Sequence, residues 1–198
     1  MSTLFFYLLH DSKALARVTV EIRETFGGKE EIMLASKLSS CRFLQACIDE
    51  TLRLNPALSL VLPRNVKEGG IVIDGESFGE GIVVGTSIYA MHRNPEYFDE
   101  PNMFRPQRWM DQDREGLEQL RDAYFPFGIG PRFCVGWRLA YAQLKIALAR
   151  TLYEYDMRLA PDARCCKFVP EERCTERSFG AYIGLSVSGP LAQFRRRA

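Results

Sequence analysis

The apolar positions of the chain change rhythm as it is read from the start. Over residues 12–26 they recur every three or four places, at Leu15, Val18, Ile22 and Phe26, the spacing that gathers side chains on one face of a helix. Asp11 or Ser12 is placed to cap its first turn, and Gly27 and Gly28 end it. A short apolar run at residues 4–9 predicts the end of a buried helix just upstream. A third helix is predicted from Ser39 or Ser40 to Leu54, with Phe43, Cys47 and Leu54 on its apolar face. It stops at Asn55 because Pro56 pushes the residue before it out of the helical region. From residue 58 to 89 the period shortens. β-rich pieces at residues 60–62, 71–73 and 82–84 alternate with Asp74 and Gly75, then Glu80 and Gly81, which is hairpin chemistry. Residues 92–109 are punctuated by Pro95, Pro101 and Pro106 and read as an ordered, irregular meander. A charged segment and a glycine- and proline-containing loop over residues 124–133 then lead into a long helix over residues 135–153. That helix is built on Leu139, Ala142, Ile146 and Ala149, and β-pieces are expected after Asp156. Helices and hairpins are segregated, with no strand–helix–strand alternation, so the predicted fold class is α+β, mostly α.

Composition narrows the function classes. The 198 residues are 46% hydrophobic and 26% charged, the balance of a globular chain with a core. Lys and Arg number 26 against 25 Asp and Glu, a net charge of +1, so no electrostatic case for nucleic acid arises. No apolar run approaches the roughly 18 residues of a spanning helix, and no basic region precedes residues 4–9 as in a signal peptide. The six cysteines (Cys41, Cys47, Cys134, Cys165, Cys166, Cys174) form no CxxC pair, and the two histidines, His10 and His92, are far apart. A zinc site is therefore not expected, and most of the thiols read as reduced, small hydrophobes. The missing CxxC also argues against a thiol-redox role for Cys165, Cys166 or Cys174.

The sharpest candidate chemistry lies in one segment that runs from Phe127 to Gly136 as Phe-Gly-Ile-Gly-Pro-Arg-Phe-Cys-Val-Gly. Gly128, Gly130 and Gly136 permit unusual backbone and close approach of a large flat object. The loop delivers one cysteine, Cys134, to the start of the long predicted helix. There the unpaired amides and Arg132 favour a thiolate. The segment resembles the haem-ligand loop of the cytochrome P450 family, Phe-x-x-Gly-x-Arg-x-Cys-x-Gly, at every fixed position. The resemblance implies haem b (iron protoporphyrin IX) with Cys134 as its axial thiolate. Arg132 would lie on a propionate, Phe127 near the sulfur and Gly136 against the ring. This family is the standing example of a thiolate-ligated haem, in which the sulfur pushes electron density towards O–O cleavage.

Two further stretches carry the same resemblance. Glu50 and Arg53 stand three apart on the third predicted helix and share a face, a pattern that by itself is usually a solvated ion pair. The resemblance completes them with Arg108, from Phe104-Arg105-Pro106-Gln107-Arg108-Trp109, as a structural triad that braces the ligand loop; Gln107 stands where the family usually has glutamate. Arg64, after Leu62 and Pro63, resembles a second propionate-binding position. His92, Arg93, Asn94 and Pro95 resemble a family turn with a structural task; His92 as a haem ligand is the competing assignment.

The resemblance covers only the C-terminal part of the family's fold and implies that residues 1–198 form a partial domain. Residues 4–9 align with the end of the helix that crosses the distal face of the haem. The acid–threonine pair of that helix would fall before Met1, and Ser2 and Thr3 come too late to replace it. The N-terminal anchor and most of the substrate roof are not in this sequence, and Gln143 stands where glutamate is common. A truncated chain, inactive by itself and prone to aggregate through exposed apolar surface, is therefore expected. Substrate-contacting positions map to residues 57–62 (Ala57, Leu58, Leu60 and Val61 being apolar) and to about residues 178–184. Gly69, Gly70 and residues 81–85 resemble fungal members of secondary metabolism or aromatic-acid hydroxylation. The implied function is a monooxygenase inserting one oxygen atom of O2 into a small apolar substrate. Electrons would come from NADPH–cytochrome P450 reductase or a similar donor, and the implied location is intracellular, with full-length relatives on the endoplasmic reticulum. The alternative is a non-catalytic haem-binding or interaction remnant of the family. Arg93, Arg105, Arg108, Arg121, Arg132 and Arg138 surround the loop in sequence; they are either a donor-docking face or, slightly favoured, a solvated face with internal pairs.

Overall fold

Each predicted helical period becomes a helix in the computed structural model, which describes residues 1–33, 35–58, 61–110, 114–160 and 192–197. The chain opens with α1 (Ser2–His10) and α2 (Ser12–Thr25). Asp11 caps α2, its carboxylate accepting from the amides of Lys13 at 3.1 Å and Ala14 at 2.9 Å. After a 3-10 turn at Lys29–Met33 comes α3 (Ala35–Ser40), which the sequence does not predict; the third predicted helix is α4 (Arg42–Leu54), which starts two or three residues later than expected. The break at Cys41 has a local cause. Ser40 Oγ bonds back to Lys37 O at 2.7 Å, which closes α3, and the cap of α4 comes from another helix. Glu21 of α2 accepts from the amides of Phe43 at 2.9 Å and Leu44 at 2.8 Å. No periodicity in residues 39–54 could reveal a cap supplied from twenty residues upstream.

The hairpin region holds β1 (Arg64–Asn65), β2 (Ile71–Ile73), β3 (Glu76–Phe78) and β4 (Val83–Val84), in two antiparallel pairs, β1 with β4 and β2 with β3. The β2–β3 turn is the predicted one: Asp74 (φ 50°) and Gly75 (φ 81°) both sit in left-handed conformation, as a two-residue hairpin loop requires. The partners Arg64–Asn65 and Glu76–Phe78 carry no hydrophobic run, so nothing in their sequence predicts a strand. Then come α5 (Ile88–Met91), a proline-punctuated meander with a 3-10 turn at Pro106–Trp109, and α6 (Arg114–Asp122). From the sequence α6 reads only as a charged segment, because Leu120 is its one buried anchor among the described residues.

The long C-terminal helix, α7 (Trp137–Glu154), begins two residues later than predicted, with Gly136 as its N-cap. It leads into β5 (Tyr155–Leu159), which pairs antiparallel with β6 (Ala192–Arg196). The C-terminal end of α7 is tied to α2 by Arg23, whose guanidinium donates to Leu152 O at 3.1 Å, Tyr155 O at 3.2 Å and Asp156 Oδ1 at 2.8 Å. Helices α1, α2, α4 and α7 enclose one apolar core that includes Leu4, Leu8, Val18, Ile22, Phe43, Ile48 and Leu148. The architecture is α+β and mostly helical, as predicted. Cys41 and Cys47 are buried free thiols, with burial pushing both up from the usual thiol range, in keeping with the hydrophobic reading. Cys165, Cys166, Cys174, Leu60 and residues 178–184 lie outside the described residues.

The remote cap gives a direct test. Replacing Glu21 with alanine strands the Phe43 and Leu44 amides and is expected to cost about 1–2 kcal/mol. Urea unfolding at pH 7 should show a lower midpoint with an unchanged slope.

Candidate functional site

The side chains that the sequence groups as a triad meet at a point no solvent reaches. Glu50 and Arg53 are both 0% exposed and Arg108 is 2% exposed. A helix places Glu50 and Arg53 on one face, and their fork is bidentate: Arg53 Nε to Glu50 Oε2 at 2.9 Å, Nη2 to Oε1 at 2.8 Å. The remaining Arg53 donors reach the carbonyls of His92 and Pro101, both at 2.7 Å, and Met103 at 3.2 Å. All five guanidinium N–H groups are thereby used, as burial of that charge demands. Arg108 adds Nε to Glu50 Oε1 at 3.0 Å, and turns its other nitrogens to the carbonyls of Asp99 (2.6 Å) and Glu100 (3.2 Å). Two partners carry no signal in the sequence. Trp109 Nε1 donates to Glu50 Oε2 at 3.0 Å, and the Arg105 amide donates to Oε1 at 2.9 Å. One carboxylate thus fixes both a helix and the meander.

The sequence assigns His92 only to a turn, and its role is larger. The ring is 0% exposed. Nδ1 lies 3.2 Å from Arg53 O, and Nε2 accepts from the Phe125 amide at 3.0 Å. Both nitrogens are occupied by backbone, so His92 is no metal ligand in this arrangement. Burial pulls the ring down from the usual 6.5 to about 4; the Arg53 carbonyl opposes that shift, and the charges of Arg53 and Arg93 add to it.

Phe125 opens the segment that carries Cys134. Gly128 and Gly130 adopt φ of 76° and 73°, which explains glycine at both places. The Gly128 amide bonds to Phe125 O at 2.9 Å, and the Cys134 amide bonds to Phe127 O at 3.0 Å, so the loop folds back on its own start. Cys134 is an exposed free thiol. It lies three residues before the first residue of α7, and its carbonyl accepts from Trp137 N at 3.4 Å. Its neighbours along the chain include Ile129 (70% exposed), Phe133, Val135 (99% exposed) and Leu139, a concentration of exposed apolar side chains in one segment. A Cβ built on Gly136 would meet only Cys134 Sγ, at 3.9 Å, so this glycine borders the thiol directly. Phe127 is half-buried, its ring 5.3 Å from that of Tyr141.

The arginines divide. Arg105 pairs with Asp99 and Glu100, Arg108 lies in the Glu50 cluster, and Arg93 lies over the Tyr89 ring at 3.8 Å. Arg121, Arg132 and Arg138 are exposed and make no ion pair among the described residues. Of the six, only Arg108 is buried; Arg105 makes its ion pairs at the surface. Arg64 is also exposed, in β1, donating to Pro63 O at 2.9 Å. A cleft of about 830 Å³ opens beside α4 and α7, with Arg42, Arg121, Arg138 and Lys145 in its walls; Cys134 does not line it. At its floor Asp49, which nothing in the sequence marks, accepts from Tyr141 OH (2.6 Å), Tyr124 OH (3.2 Å) and Gln45 Nε2 (2.9 Å). Burial pushes Asp49 up, against those hydrogen bonds, and pushes both tyrosines up as well.

Comparison with known proteins agrees with the motif. The family model described as Cytochrome P450 matches residues 1–175. A cytochrome P450 monooxygenase of Alternaria alternata is 42% identical over 165 residues, covering 80% of this chain and 31% of its own length. One of Penicillium oxalicum is 36% identical over 196 residues, covering 99% of this chain and 36% of the relative. One of Purpureocillium lilacinum is 38% identical over 200 residues, covering 100% and 59%. The chain thus spans between 31% and 59% of the length of these relatives. No helix among the described residues is long and apolar enough to cross a membrane.

Truncating Arg108 to alanine strands part of the Glu50 charge and is expected to cost about 3–5 kcal/mol, read as a lower urea midpoint. The His92 ring sets a pH dependence. Folded, it stays neutral to about pH 4; unfolded, it protonates below about 6.5. Its contribution is complete above pH 6.5 and is lost as pH falls towards 4, about 3 kcal/mol across that window. Unfolding free energies at pH 7, 5.5 and 4.5 should fall more steeply for the wild type than for His92→Gln.

Proposed function

The chain belongs to the cytochrome P450 family, and from that premise we propose that it forms the thiolate side of a haem monooxygenase, in which Cys134 would hold haem b through its sulfur. The observation that carries this reading is an exposed thiol in a segment that also exposes Ile129, Phe133, Val135 and Leu139, on a loop whose start is hydrogen-bonded to a buried histidine. A soft anionic sulfur suits iron, and an apolar surface suits a porphyrin face. When bound, the haem supplies oxygen activation and insertion of one oxygen atom into an apolar substrate.

This chain's residues bind and orient. Cys134 would donate the thiolate, and Gly136 lies beside the sulfur. The exposed guanidiniums of Arg132 and Arg64 are free to take propionates, Arg132 from within the ligand loop and Arg64 from β1. Phe127 holds the Cys134 amide through its carbonyl. Glu50, Arg53 and Arg108 stay outside the chemistry and set the frame. Ala57, Leu58 and Val61 offer apolar surface to a small substrate. Electrons come from NADPH–cytochrome P450 reductase or a similar donor. The cleft bearing Arg42, Arg121, Arg138 and Lys145 supports an acidic donor surface docking there, since none of the four makes an ion pair among the described residues.

The test is the carbon monoxide difference spectrum of the reduced protein purified with haem, beside Cys134→Ala. A red-shifted thiolate-type Soret band, lost in the variant, is the expected result. A band that survives the substitution overturns the assignment of Cys134.

A further inference from the structure

The roles given to Cys134, Arg132 and the Glu50 cluster leave one fully buried titratable ring without a task, that of His92. Its bonding is reciprocal. Arg53 Nη1 grips the His92 carbonyl at 2.7 Å, while His92 Nδ1 sits 3.2 Å from the Arg53 carbonyl. The far nitrogen, Nε2, accepts from the Phe125 amide at 3.0 Å. A backbone carbonyl only accepts and a backbone amide only donates, so these two contacts require a neutral imidazole with its proton on Nδ1. The rings of Tyr124 (5.3 Å), Phe125 (5.4 Å) and Phe98 (6.4 Å) surround it and exclude water.

The ring thereby bridges two parts of the chain that share no covalent proximity. On one side is α4 with its buried ions. On the other is the loop that runs from Phe125 through Phe127 to Cys134, closed by Gly128 N to Phe125 O and by Cys134 N to Phe127 O. The path from the Arg53 guanidinium to the sulfur-bearing residue is a sequence of single hydrogen bonds and short backbone links, with His92 in the middle. Two glycines in left-handed conformation make the intervening backbone easy to deform, so the loop needs an outside anchor at its start.

We propose that His92 is a positioning residue for Cys134: by holding the Phe125 amide against the Arg53 carbonyl, it fixes where the ligand loop begins and so where the thiol is presented. It does this without touching the haem. The proposal rests on the reading of Cys134 as axial ligand.

The test compares His92→Phe, which keeps a flat ring and removes both hydrogen bonds, with His92→Gln, whose amide offers one donor and one acceptor. Two properties are read in the 198-residue protein: hydrogen exchange at Phe125 and through residues 127–136 relative to α2, and, after loading with haem, the share of the carbon monoxide complex with the thiolate-type band. In His92→Phe, loop exchange should rise about tenfold or more while α2 is unchanged, and the thiolate-type share should fall by half or more. His92→Gln should restore both. Loop and α2 exchange rising together, an unchanged loop in His92→Phe, or a folded His92→Gln that fails to rescue would each overturn the proposal. Should His92→Phe not fold, His92→Asn, too short to span both partners, takes its place in the comparison, with the same results expected and the same results overturning the proposal. If Cys134→Ala leaves the haem spectrum unchanged, the ligand reading falls, while loop exchange still decides whether His92 anchors Phe125.

Discussion

Glu50 has no exposed surface, yet five donors converge on its carboxylate: two from Arg53, one from Arg108, the Trp109 indole and the Arg105 amide. Removing a carboxylate and two guanidiniums from water is costly, and only saturation of their hydrogen bonds offsets it. That requirement dictates the geometry around it. Five backbone carbonyls, from His92, Asp99, Glu100, Pro101 and Met103, must point inward to take the remaining N–H groups. The meander has almost no regular secondary structure of its own; it is held in one conformation because buried cations need its oxygens.

From that cluster the order spreads in two directions. Through Tyr7, whose hydroxyl reaches Asn55 at the end of α4 at 2.5 Å and whose ring stacks on Phe104 at 4.8 Å, α1 is joined to the meander. Through His92, the cluster is joined to the loop bearing Cys134. The two sides of the molecule differ in kind. The side facing α1 and α2 is a closed apolar core, whereas the Cys134 side is open, with an exposed thiol. An interior of paired ions supplies rigidity, and the Cys134 segment leaves its apolar side chains exposed.

Much of the site could be read from the chain because its chemistry is local. The glycine spacing from Gly128 to Gly136, the arginine two places before the cysteine, and the Glu50–Arg53 spacing each follow from backbone freedom or helical period. Asp74 and Gly75 announce their turn for the same reason. What escapes is non-local. The cap on α4 is Glu21, on a different helix; β1 and β3 are strands only because β4 and β2 lie beside them; α6 hangs on one leucine. Trp109 and the Arg105 amide join the Glu50 cluster without any signal in spacing. Asp49 looks like a surface neighbour of Glu50 until Tyr124 and Tyr141, from separate elements, close over it.

By itself the sequence determined the helical periods, the α+β class, the ligand-loop motif that identifies the cytochrome P450 family, and the three residues of the buried ion cluster. Those depend on intervals of a few residues, over which backbone geometry alone decides which side chains meet, and on a family motif that spans them. Only the tertiary structure decided that Arg108 turns inward while Arg105 pairs at the surface, that α7 starts at Trp137 and leaves Cys134 ahead of it, and that His92 is a neutral strut between α4 and the loop. Each of these depends on which distant groups supply hydrogen bonds once water has been excluded, and that is fixed by how the elements pack together.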